Sequence, residues 1–108
     1  MRVTPLIVDV TEDAQADIAD IGFYYAQRDR EVESRFYRAV DETIQMLADS
    51  PELGERCRFR SPETKSMRVW LVAGFSNYLI FYRPSGDVLE VKRIFHGARN
   101  YAAIFNKK

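Results

Sequence analysis

The sequence predicts an α+β domain in which an N-terminal strand and an antiparallel helical hairpin precede a mainly antiparallel curved sheet, in the order β-α-α-β-β-β-β. Three observations predict it. A short β-branched run precedes two apolar stripes of helical spacing. The apolar period shortens from about 3.6 to about 2 after Gly54. Pro84-Ser85-Gly86-Asp87 then supplies turn chemistry between the last two apolar runs. Helices grouped before strands imply two layers around one core.

Leu6-Ile7-Val8-Asp9-Val10, bounded by Pro5 and Thr11, reads as a strand with Leu6, Val8 and Val10 on one face. Thr11 then opens a helix. Its hydroxyl can cap free amides of the first turn, and Glu12, Asp13 and Asp17 put negative charge near the positive end of the helix dipole. Ala14, Ile18, Ile21 and Tyr25 form one stripe, running to about Arg28. Gly22 weakens this helix by about 1 kcal/mol relative to Ala. It either admits a second helix closely or is a tolerated surface glycine, the latter being the default expectation.

Beyond Gln27-Arg28-Asp29-Arg30, a second stripe of Val32, Phe36, Val40, Ile44 and Leu47 ends at Asp49-Ser50-Pro51, because Pro51 disfavours helix at Ser50. Phe23, Tyr24 and Tyr37 widen the apolar surface, either as core or as a face for a partner. The period-two segments are a weak Cys57-Arg58-Phe59-Arg60 run, Met67 to Val72, Asn77 to Arg83 and Val88 to Phe95. Each of the middle two is expected to turn one solidly apolar face to the helices. Asn100 to Phe105 is too short for an independent helix and either docks or frays.

The 108 residues make one domain, 1–108, with 46% apolar, 13% aromatic and 30% charged residues. One cysteine, Cys57, and one histidine, His96, exclude an internal disulfide and make a zinc site improbable. No glycine stands in a phosphate-loop setting, so no nucleotide cofactor, and no cofactor of any kind, is expected. The longest apolar run falls far short of the roughly 20 residues of a membrane span. No signal-peptide core follows the N-terminus, and a reducing cytoplasm is the expected compartment.

Charge is polarised. Residues 1–54 hold 5 Lys/Arg and 12 Asp/Glu, residues 55–108 hold 11 and 4, so a net charge of zero divides into −7 and +7. The basic half either faces a polyanion or complements the acidic half internally. Its densest stretch runs from Lys92 to Tyr101 and includes Arg93, His96 and Arg99. Arg93, expected on one strand face with Val91 and Phe95, either meets an acid or carbonyl or lines a concave surface. Cations beside an imidazole can hold a phosphate while His96 moves a proton, or they can bind an acidic partner. Arg56, Arg58, Arg60, Lys65, Arg68 and Arg83, interspersed with Phe59 and Trp70, would also suit nucleic-acid contact.

The signatures Ala14-x-x-Asp17-Ile18, Arg35-Phe36, Ser50-Pro51-Glu52-Leu53-Gly54, Tyr78-Leu79-Ile80-Phe81-Tyr82-Arg83 and Arg93-Ile94-Phe95-His96-Gly97-Ala98-Arg99-Asn100 together resemble the ParE/RelE toxin superfamily, from Leu6 to about Ile104. The resemblance implies the toxin of a type II toxin–antitoxin pair of the plasmid-stabilisation kind, in which a cognate antitoxin wraps the toxin in a hetero-oligomer. RelE-like members cut messenger RNA on the ribosome; by that resemblance Arg68, Arg93, His96 and Tyr101 are the catalytic candidates. Where those nucleases carry arginine after the aromatic of the penultimate strand, this chain has Leu79. The His96-Gly97-Ala98-Arg99 ending is similar to the ParE-like branch, whose members poison DNA gyrase. That branch makes Arg83, Arg93, His96 and Arg99 target-binding candidates and the basic half a binding surface. An antitoxin segment is then expected against Tyr24, Tyr37, Trp70 and Phe81.

Overall fold

A computed structural model of the chain describes residues 3–59 and 62–97. Its strands are β1 (Ile7–Val10), β2 (Glu55–Arg56), β3 (Arg68–Val72), β4 (Phe75–Ser85) and β5 (Val88–His96). Two helices, α1 (Glu12–Ala26) and α2 (Arg30–Asp49), separate β1 from the rest. The strands form one sheet in the order β1-β5-β4-β3-β2, with β1 parallel to β5 and every other pair antiparallel. This is the expected α+β order.

Both helices begin where their caps stand. Thr11 Oγ1 accepts the Ala14 amide at 3.2 Å, and Asp29 accepts that of Glu31 at 2.9 Å. The stripes then pack as their spacing requires: Ala14, Phe36, Val40, Ile44 and Leu47 meet Val72, Ile80, Tyr82, Leu89, Val91 and Ile94 of the sheet. Phe36 is the aromatic centre, with ring centroids of Phe75 and Tyr78 at 5.4 and 5.8 Å. In the β4–β5 hairpin Ser85 stands opposite Val88, so the turn narrows to Gly86-Asp87, with Gly86 at φ 60° in the left-handed region.

The structure corrects four expectations. Gly22 is buried, and a Cβ there would lie 1.9 Å from the Tyr37 hydroxyl; it is a close-approach glycine, not a tolerated surface one. The weak strand expected at Cys57-Arg58-Phe59-Arg60 is displaced toward the N-terminus to Glu55–Arg56, with the Cys57 amide bonding Met67 O at 2.9 Å, while Cys57 and Phe59 pack against the outer core. Arg60 lies outside the described residues.

The sheet also buries apolar side chains on both faces. Met67, Phe81 and Phe95 make a second, smaller core opposite the helices. Alternation along β4 turns Phe81 outward between Ile80 and Tyr82, and a bulge turns Phe95 out with it: Phe81 pairs with Arg93 but Tyr82 pairs with Val91, so Lys92 is the extra residue on β5. The same bulge separates Val91, which joins the helix-side core, from Phe95, which joins the outer one, and removes the common face expected for Val91, Arg93 and Phe95. The tail from residue 98 onward, including the Asn100–Phe105 run, lies outside the described residues.

Candidate functional site

β5 is paired on both sides only as far as Val91, which faces Val10 at the end of β1. From there the first turns of α1 take over the edge. Thr11 donates its amide to Val91 O at 3.1 Å, and its hydroxyl lies 3.0 and 3.1 Å from Val91 O and Lys92 O. Nearly two helical turns after Thr11, Asp17 Oδ2 accepts the Ile94 amide at 2.9 Å and Arg93 Nε at 2.8 Å, while Oδ1 accepts Arg93 Nη2 at 3.1 Å. The Asp17 side chain is only 11% exposed, and the Arg93 guanidinium carbon lies 4.8 Å from the Phe95 ring centroid. The carboxylate's hydrogen bonds push the Arg93 pKa above its ordinary value. Of the alternatives left open by the sequence, the partner of Arg93 is an acid.

His96 faces Tyr78 across the β4–β5 ladder, the rings edge-on at 5.4 Å and 78°. Together with Asp17, Asp20, Ile21, Tyr78 and Ile94 it lines an open hollow of about 170 Å³ between α1 and the strand ends. Burial raises the Tyr78 pKa, and the neighbouring Tyr25 adds to it. Asp17 thus bonds Arg93 and shares a hollow with His96. Arg99 and Tyr101 lie outside the described residues.

Arg68 and Arg83 serve other places. Arg68 Nη1 donates to Gly54 O at 2.7 Å and Glu52 O at 3.3 Å. The same loop is bound from below by Tyr82, whose buried hydroxyl donates to Pro51 O at 2.7 Å and accepts the Gly54 amide at 2.9 Å. Burial, the largest influence, raises the Tyr82 pKa. A Cβ on Gly54 would lie 2.5 Å from that hydroxyl and 2.9 Å from Val69 O, so the Ser50-Pro51-Glu52-Leu53-Gly54 run closes only with glycine at its end. Arg83 pairs with Glu90 directly across the ladder, Nη2 to Oε1 at 2.9 Å.

Among the residues expected to meet a partner, Tyr24 and Tyr37 are 46% and 38% exposed. The guanidinium of Arg28 lies over the Tyr24 ring at 3.8 Å. Trp70 is part-buried against the main core and, with Glu55, Val69, Leu71 and Leu79, lines a hollow of about 360 Å³ at β3, where two-residue β2 no longer covers the edge. Phe81 is corrected: at 1% exposed it is core of the outer face, because Met67 and Phe95 close over it.

Sequence reasoning read Asp17 only as a helix-dipole charge and missed it as the partner of β5; its place in the Ala14-x-x-Asp17-Ile18 signature was the available signal. It also missed an arginine-lined hollow of about 470 Å³ on the acidic half, formed by Arg30, Glu31, Ser34, Arg35 and Arg38 of α2. Among the described residues no group of three or more His, Cys, Asp or Glu is arranged to hold a metal ion, and no helix is long and apolar enough to cross a membrane. The Cys57 thiol, pushed up to about 11 by burial and by Glu55, is a poor nucleophile near neutral pH.

The family model for the ParE toxin of the type II toxin–antitoxin system parDE matches residues 8–101. Among solved structures, the chain is similar to one of the chromosomal ParDE toxin–antitoxin system from P. aeruginosa, at 17% identity and a TM-score of 0.68 over 84% of this chain and 95% of that one. It is also similar to one of the RelBE2 toxin–antitoxin complex from Mycobacterium tuberculosis, at 17% identity and a TM-score of 0.58 over 86% and 99%. At these identities the two structures show the shared fold. No curated protein matches the chain in sequence.

Proposed function

Because the chain belongs to the ParE toxin family of type II toxin–antitoxin systems, we propose that it arrests growth by inhibiting DNA gyrase in the cytoplasm and is neutralised by a cognate antitoxin in a hetero-oligomer. Such a pair would stabilise a plasmid that carries it. One observation carries the choice of target. The two cations that an RNA-cutting reading needs most are already committed to the chain's own acceptors: Arg93 to Asp17 and Arg68 to Gly54 O and Glu52 O. To hold a scissile phosphate, each guanidinium would have to give up short, charge-assisted bonds. Leu79, following Tyr78, adds no cation there.

The antitoxin contact is supported by the hollow beside Trp70 and Leu71 and by exposed Tyr24 and Tyr37. An extended apolar segment laid along the β3 edge would gain backbone bonds and bury those side chains. Purified toxin, released from its antitoxin, is expected to block supercoiling or trap cleaved DNA in a gyrase assay at concentrations that arrest growth. Growth arrest with gyrase untouched and ribosome-bound transcripts cut, read by primer extension, would instead establish the endonuclease reading.

A further inference from the structure

The end of β5 is held by a side chain where a strand would be expected. β1 stops at Val10, and the next outward-facing amide of β5, that of Ile94, is taken by the Asp17 carboxylate. The same carboxylate turns Arg93 back onto α1 through two bonds, and the Arg93 guanidinium lies over the Phe95 ring. His96 follows, and the Gly97 amide bonds Asn77 O at 2.7 Å. Asp17 therefore sets both the charge and the direction of the strand end that carries Arg93 and His96.

We infer that Asp17 is a positioning residue for target contact: through Arg93 and the Ile94 amide it fixes where β5 ends, and thus how Arg93 and His96 meet the target. The inference rests on the proposed function only in assuming that this end of the toxin touches its target. It reverses the role expected of Arg93. If Arg93 contacts the target directly, Asp17→Ala frees its cation and toxicity persists. If Arg93 works through Asp17, removing either one disables the same unit.

The experiment expresses the full chain with Asp17→Ala, Asp17→Asn, Arg93→Ala and the Asp17→Ala/Arg93→Ala pair from a titratable promoter. It records the toxin level that halves growth, the Kd for the antitoxin and the exchange rate of the Ile94 amide. Asp17→Ala and Arg93→Ala should each require about tenfold more toxin, the double change no more than either alone, with antitoxin Kd held within about threefold. Ile94 exchange should rise about tenfold in Asp17→Ala and stay near wild type in Asp17→Asn, which keeps an acceptor oxygen. Wild-type arrest by Asp17→Ala, additive losses in the double change, or antitoxin binding lost in step with arrest would each overturn it. Should Asp17→Ala not fold, Asp17→Asn decides: weakened arrest with antitoxin binding intact supports the inference, and full arrest overturns it. A wild-type toxin that arrests growth without inhibiting gyrase would sink the target proposal alone, because these comparisons are read from growth.

Discussion

Tyr82 shows how one polar atom can organise a loop. Its hydroxyl is buried between the Pro51 carbonyl and the Gly54 amide, and both backbone groups depend on it. Tyr82→Phe keeps the ring and leaves both groups without that partner, a cost of about 1–3 kcal/mol. Urea denaturation should show that loss as a lowered midpoint with an unchanged slope; a variant as stable as wild type would mean that the loop re-pairs elsewhere. Alternation along Asn77 to Arg83 predicted one apolar face turned to the helices, and Tyr82 lies on it. That its hydroxyl would meet a loop 28 residues earlier in the chain was not legible, because strand alternation reports a face and not what lies beneath it. Asp17 illustrates the same limit: the sequence showed a negative charge near the start of a helix, but only the end of β1 made an open strand edge for it to serve.

At the scale of elements, the α1–α2 contact turns on Gly22 and Tyr37. The ring of Tyr37 occupies the space a Cβ at Gly22 would fill, and it is the far end of a half-exposed side chain. Gly22→Ala should therefore cost about 1 kcal/mol net, as displacement of the ring outweighs the gain in helix propensity. In a Tyr37→Ala background the same change should stabilise by up to about 1 kcal/mol, since the obstacle is gone and the propensity gain remains. Thermal unfolding of the four proteins gives the sign reversal directly; equal effects in both backgrounds would show that the two residues do not compete for space. Both helices, the Thr11 cap and the last hairpin were legible because capping and apolar spacing are local. The bulge at Lys92 was not, because an extra residue appears only once two strands are in register.

Across the whole molecule, the helices and the sheet share one principal core, with Phe36 at its aromatic centre and a smaller core on the opposite sheet face. Phe36→Ala should cost about 3–5 kcal/mol, a large part of the roughly 5–15 kcal/mol that holds a domain of this size. Unfolding should nevertheless remain one transition, with near- and far-ultraviolet circular dichroism coincident. Separate transitions would mean that the hairpin and the sheet are independent units. Charge follows the same layering. The acidic half supplies both helices and the basic half supplies four of the five strands. Among the described residues a single ion pair, Asp17 with Arg93, joins the halves.

The chain by itself determined the class of fold, the helical hairpin, the last β-hairpin and the family likeness, because these rest on caps, periodicity and turn residues that act over a few positions. Only the tertiary structure decided what the arginines do. Whether a guanidinium faces solvent or an acid depends on which strand ends beside which helix. Here β1 stops short, and Asp17 of α1 completes the edge that it leaves open.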